Sequence, residues 1–381
     1  MRRRWFIWGV LPCVLLLGVG AYLMTGGKLP SLRTTPPPSA GRQLAPPRPF
    51  TPADATLPDA ISAGVVAPGE PATMIFNATP QWAPNGRSIA YVRHNDSDHR
   101  QRNGDLYLAE FLSGKWVHRW LADGADSPCW SPDGRTLACN QKGLALMTLS
   151  SRKIRQVVAD DLSDGESYRY HYPVCWSPDG RYLFYRVGCW EWGDSGVYDS
   201  TTGKTIDLKL GDAQGMWMSA HQLLLWVNPD EPAEELDGDL VQYDLTTRQK
   251  KTLASKGMLV PLAVSADSKT AYLDTGKAIA QLNLATGTVK SVMTLTTRYP
   301  AWSPDGTRFA FLDEHWHNGK HERKPFSLYV GSITDGKTRV LATPVVSSAD
   351  EFRQMHGFAW SADGTWIAYT TGNGDIAIIK P

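Results

Sequence analysis

His315, His317 and His321, with Asp313, Glu314 and Glu322, form the densest run of titratable side chains in the 381-residue chain. Histidines two apart on a strand share a face, and imidazole nitrogens are good transition-metal ligands. Asn318-Gly319-Lys320 and Arg323-Lys324 interrupt this run with turn formers and positive charge. The three histidines are therefore weak metal candidates, and a solvated loop is the first reading. The segment from His94 to His99 is a lesser case, and Asp230–Asp237 is a short acidic loop. A second set is more mixed in chemistry: Tyr168, Arg169, Tyr170 and His171 in one stretch, and Glu351, Arg353 and His356 in another. Such residues could stack on, pair with or hydrogen-bond a ligand. Neither set is a complete catalytic apparatus, and no cofactor is expected.

The elements that would position these residues are set by a repeat. Trp-Ser-Pro-Asp-Gly occurs at Trp130–Gly134, Trp176–Gly180 and Trp302–Gly306. Near-copies stand at Trp82–Gly86 and Trp360–Gly364. Proline pre-sets φ at the second turn position, Asp suits the third, and Gly supplies positive φ at the fourth. Short apolar alternations follow each Gly, as in Arg181-Tyr182-Leu183-Phe184-Tyr185, and read as strands. Further strands follow, giving a unit of four short antiparallel strands in which the motif Trp ends the first. Degenerate copies at Trp217–His221 and Val264–Ser268 fill the gap between Trp176 and Trp302. Seven units of this kind predict an all-β, seven-bladed propeller; six and eight blades are the alternatives. The last unit lacks an outer strand, which Ala72–Asn77 is expected to supply.

This fold gives the candidate residues a place. The tight Pro-Asp-Gly turns lie on one face of the disc, and the long insertions lie on the other. Binding residues concentrate on long loops carried by a rigid scaffold. Two blade-to-blade links, Asp160–Tyr172 and Thr343–Gly357, lead into inner strands. They bring Tyr168, Arg169, Tyr170, His171, Glu351, Arg353 and His356 to the mouth of the central funnel as candidate binding residues. The motif tryptophans read as blade-packing residues and the motif aspartates as turn formers. Gly193-Asp194-Ser195-Gly196 resembles the surroundings of a serine-protease nucleophile over four residues only, and reads as a loop turn.

The N-terminus differs from the rest. Met1-Arg2-Arg3-Arg4 precedes an apolar run from Trp5 to Met24. Residues 1–27 thus read as a signal anchor with the chain exported beyond it; a cleaved signal peptide ending near Val19-Gly20-Ala21 is the alternative. Residues 28–71 are proline-rich without hydrophobic periodicity and read as a linker, leaving 72–381 for the propeller. Net charge is +1, with no basic cluster in the body, which excludes nucleic-acid binding by bulk electrostatics. Cys129, Cys139, Cys175 and Cys189 could be buried thiols or could include one bridge, Cys129–Cys139 being the sharper option.

Trp-Ser-Pro-Asp-Gly-Arg followed by a short apolar strand resembles the repeats of TolB-like propellers. It is also similar to the propellers of prolyl oligopeptidase-like enzymes and of oligogalacturonate lyases. The shared residues are turn and packing residues, so the resemblance speaks to fold more than function. TolB itself carries a small α/β domain before a six-bladed propeller; here a membrane-anchor-like segment and a linker take its place. The resemblance implies a bacterial cell-envelope protein, anchored in the inner membrane with its propeller in the periplasm. The favoured function is a non-enzymatic module binding an envelope protein, or a polysaccharide, through its loop-rich face. The alternative is a propeller enzyme, lyase-like or hydrolytic, with its site in the funnel.

Overall fold

In a computed structural model, the described residues are 63–69, 75–95, 104–161, 169–188, 193–227, 238–255, 257–265, 267–294, 300–312, 316–317, 320–321, 326–346 and 358–381. Candidates Tyr168, Glu351, Arg353, His356 and His315, together with Cys189, the N-terminal anchor and most of the linker, lie outside them.

Seven four-stranded antiparallel sheets follow one another along the chain. Their inner strands are Ile75–Trp82, Asp126–Trp130, Tyr170–Trp176, Ala213–Trp217, Val260–Val264, Ala301–Trp302 and Phe358–Trp360, which number the blades one to seven. Each inner strand touches the next, and the seventh returns to the first, so the ring is closed. Seven apolar clusters occupy the seven seams. Leu106, Cys139 and Met147 lie between blades one and two, for example, and Phe184, Trp217 and Leu225 between blades three and four. One cluster per seam is what a seven-bladed ring requires.

The repeat builds both the turn and the seam. In blades two, three, five, six and seven, the motif Ser hydroxyl donates to the motif Asp, as Ser131 does to Asp133 at 2.6 Å. The same Ser oxygen accepts a backbone N–H five residues on, as from Thr136. Gly134, Gly180, Gly306 and Gly364 sit at φ of 67–73°, where a side chain would be strained. Each motif Trp ends its inner strand, as the spacing predicts. The indole N–H of Trp130, Trp176, Trp217 and Trp360 donates to the carbonyl of Gln81, Cys129, Cys175 and Ala301 respectively. In every case that carbonyl belongs to the residue just before the motif Trp of the preceding blade. The tryptophans are thus rungs between blades, not a ligand platform.

Two expectations need correction, and of the two cysteine readings the free thiols hold for the described residues while the bridge does not. The ring is not closed by Ala72–Asn77. Gly64–Ala67 is the outer strand of blade seven, pairing Gly64 with Ile378 and Ala67 with Ile376, while Ile75–Trp82 is the inner strand of blade one. Val66 and Ala67 are buried in the seam, so the propeller begins inside the supposed linker. Cys129 pairs with Ala138, and Cys139 with Ala145. Cys139 packs toward blade one and Cys129 toward blade three, so opposite faces of one blade separate the two thiols. Cys129, Cys139 and Cys175 are free. Finally, Gly193–Gly196 is the start of a strand, not a loop turn, and the Ser195 hydroxyl donates to the Gly211 carbonyl at 2.9 Å.

Candidate functional site: the mouth between blades two and four

The face opposite the Pro-Asp-Gly turns collects the starts of the inner strands and the ends of the second strands. At blades two to four this face is described in most detail. Asp161 and Arg169 exchange backbone hydrogen bonds of 3.2 and 2.8 Å. Tyr170 begins the inner strand of blade three, and His171 follows it. Tyr170 and Tyr172 are two apart on that strand, with ring centroids separated by 6.3 Å. Tyr172 lies over Gly188, where an added Cβ would meet the ring at 3.3 Å.

His171 turns the other way, into the seam, and is 7% exposed. Its Nδ1 lies 3.0 Å from Asp160 Oδ1, and its backbone N–H donates to the same oxygen at 2.8 Å. Asn140 Nδ2, at the end of the second strand of blade two, donates to the His171 carbonyl at 2.9 Å and to Asp160 Oδ2 at 3.2 Å. The ring of His171 is therefore held by the Asp160 carboxylate, which Asn140 braces in turn. Asp126 faces Asn140 in the strand register. Its Oδ1 is sealed from solvent with no hydrogen-bond partner among the described residues. Burial pushes the Asp126 carboxyl up to about 6; the Ser127 hydroxyl opposes this and the charge of Asp160 adds to it.

The next seam repeats the logic with an ion pair. Arg186 Nε donates to Asp212 Oδ1 at 2.8 Å, and its terminal nitrogen to Oδ2 at 2.5 Å. This two-pronged geometry fixes both partners. Gly193 makes room for it, since a Cβ there would stand 2.6 Å from Asp212 Cβ. Nearby, burial raises the Asp194 carboxyl, the Ser195 N–H opposes that, and Asp207 adds to it. Arg169 bears on the same carboxyl and favours its charge.

Of the seven residues expected at the funnel mouth, the described ones are Arg169, Tyr170 and His171, consecutive residues where the inner strand of blade three begins. His171 is turned into the wall and not toward the funnel. The metal candidates His317 and His321 belong to a small hairpin in which His317 pairs with Lys320 and His321 with Trp316, not with each other. Among the described residues, no three His, Cys, Asp or Glu side chains converge to hold a metal. Asn140, Asp160, Arg186 and Asp212 escape sequence reasoning because their partners lie on other strands, 11 to 31 residues away. One signal was available: Asp212 stands just ahead of an inner strand.

No family model and no curated protein matches the chain. Solved structures do. An oligogalacturonate lyase in complex with manganese is 11% identical with a TM-score of 0.60, covering 82% of this chain and 91% of that one. The β-propeller domain of the Trilobed protease from Pyrococcus furiosus is 13% identical with a TM-score of 0.55, covering 81% and 95%. TolB from Acinetobacter baumannii is 16% identical, covers 77% and 64%, and has a TM-score of 0.42. At such identities the likeness to the first two shows a shared propeller fold and nothing finer.

Proposed function

We propose that the protein is a binding propeller whose working surface is the loop-bearing mouth around blades two to four. One observation carries this reading. The groups best suited to chemistry there are locked to each other across the seams, His171 to Asp160 and Arg186 to Asp212. His171 is buried in the seam wall and the charge of Arg186 is met by Asp212, so both groups shape the surface and neither is presented to a substrate. The preferred partner is a protein or polymer of the bacterial envelope, with the apolar run of residues 5–24 anchoring the propeller on the periplasmic side of the inner membrane. The test is capture from solubilised membranes by the full-length protein. A double variant, Arg169→Ala with Tyr170→Ala, is expected to lose the captured partner at least about tenfold. Capture at the wild-type level would overturn the assignment.

The enzymatic alternative rests on Asp126, a sealed carboxyl whose protonation changes near neutrality. The purified protein incubated with oligogalacturonate and manganese decides it. Turnover that disappears in Asp126→Asn would replace the binding reading with a lyase one.

A further inference from the structure

We propose that blade seven carries a peptide groove, filled here by the chain's own residues 64–69, which a second copy of the chain can fill by exchanging the same segment. In blades one to six the outer strand is joined to its neighbour directly along the chain. In blade seven it is the closing strand Gly64–Ala67, separated from its sheet by nearly the whole sequence. No turn ties it to the strand it pairs with, so contacts hold it in place. Those contacts come from blade one and from the rest of blade seven. The groove is therefore built without the segment that fills it.

The groove is selective for what it holds. Gly64, Val65 and Ala67 pair with Ile378, Ala377 and Ile376, and the register breaks at Val66. Val66 and Ala67 are buried in a cluster with Trp82, Tyr91, Trp366 and Ile376, while Val65 is 55% exposed. Asn77, itself sealed from solvent, donates its side-chain amide to the carbonyls of Ala67 at 3.2 Å and Pro68 at 2.9 Å. Arg93 reaches the Pro68 carbonyl at 3.4 Å. The Gly69 N–H donates to Asp375 Oδ1 at 2.7 Å, and the Thr371 hydroxyl braces Oδ2 of that carboxylate at 3.1 Å. A Cβ on Gly69 would stand 2.6 Å from the Asn373 carbonyl oxygen and 2.7 Å from that of Gly374. Both are backbone atoms, so this close approach demands glycine. Main-chain bonds that give affinity, with buried positions that give selectivity, are the physics of strand addition.

A second copy of this chain carries the sequence that fits. In an exchanged pair each groove receives residues 64–69 of the other molecule, and every contact above is remade. Residues 70–74 then join two molecules instead of closing one ring. Exchange of an identical element between copies is a low-cost route to a dimer. It also keeps the apolar edge of Ile376–Ile379 covered, which simple opening would expose. The short link gives the closed form an effective concentration of about 1 mM. The wild type therefore stays closed when dilute, and exchange becomes substantial where copies are crowded or the segment is poorly seated.

Two differently tagged full-length variants separate the halves of the contact. Ala67→Asp with Gly69→Val spoils the segment and leaves the groove. Asn77→Ala with Asp375→Ala spoils the groove and leaves the segment. Only a mixture of the two brings a sound segment to a sound groove. The mixture is expected to co-purify at least about tenfold above either variant mixed with a differently tagged copy of itself. Co-purification at the self-mixed level overturns the proposal. A synthetic peptide of residues 63–70 gives a second readout. At about ten times its Kd it is expected to slow hydrogen exchange of Ile376–Ile379 in the segment variant about tenfold. The same peptide with valine for Gly69 is expected to leave that exchange unchanged. Protection by both peptides, or by neither, also overturns the proposal. If the segment variant does not fold alone, refolding it together with the groove variant must recover it, and no recovery counts against the exchange in the same way.

Discussion

At the scale of single residues, the seam polar groups divide into the satisfied and the stranded. His171, Asp160 and Asn140 complete one another. Asp126 does not: its Oδ1 is buried without a partner among the described residues, and burial raises the carboxyl to about 6. In the unfolded chain an Asp titrates near 3.9. The folded protein thus holds this proton more tightly than the unfolded chain, and stability is lost as pH rises from about 4 to about 6. A tenfold gain in proton affinity is worth about 1.4 kcal/mol, and partial exposure of the residue reduces the whole effect to about 1–2 kcal/mol. Asp126→Asn removes the charge and should be more stable than the wild type by that amount at pH 7.5, with a smaller gain at pH 5. Urea unfolding at the two pH values measures it; an equal or negative change at pH 7.5 would remove Asp126 from the account. A cost retained at such a position is commonly tied to function, which is why the same residue carries the enzymatic alternative.

At the scale of elements, a Trp rung joins the inner strands of blades two, three, four and seven to the one before, and the other seams differ. Trp217 donates to the Cys175 carbonyl at 3.0 Å and stacks on Tyr182 with centroids 5.9 Å apart. Trp302 stacks on Tyr272 at 5.0 Å, but its indole N–H has no partner among the described residues. Trp→Phe substitution removes similar ring area at both positions but a hydrogen bond at only one. Trp217→Phe should therefore cost about 1 kcal/mol more than Trp302→Phe, and chemical denaturation of the two variants checks it. If Trp302→Phe costs as much or more, the hydrogen bond is not what distinguishes the rungs. The repeat was legible because turn chemistry is local: Ser131, Asp133 and Gly134 bond within five residues of each other. The partner of the Trp N–H was not, since it lies 42 to 59 residues away on another blade. Separation along the chain likewise hides Asp160 from His171 and Arg186 from Asp212, so the stretch around His171 shows an inner-strand start in the sequence but not the partners that hold it.

At the scale of the whole molecule, closure decides where the propeller begins. A four-residue strand, Gly64–Ala67, lies within a proline-rich stretch and is too short to show periodicity, so the sequence places the boundary several residues late. Yet its removal should be felt throughout the ring. Val66 and Ala67 pack with Trp82, Tyr91, Trp366 and Ile378, and Gly64–Ala67 covers the edge of Ile376–Ile379. Exposing a buried Val and Ala and the lost ladder bonds costs roughly 2–5 kcal/mol. The uncovered edge, Ile-Ala-Ile-Ile, is also a template for pairing with another chain. Two truncations separate the possible boundaries. A chain starting at residue 63 keeps the closing strand and should unfold at the same denaturant concentration as the full-length protein. A chain starting at residue 72, where the proline-rich stretch ends, should unfold earlier and associate on concentration, which light scattering reads directly. Equal stability and a monomeric state for both truncations would show that blade seven stands on three strands and that the ring does not need its first segment.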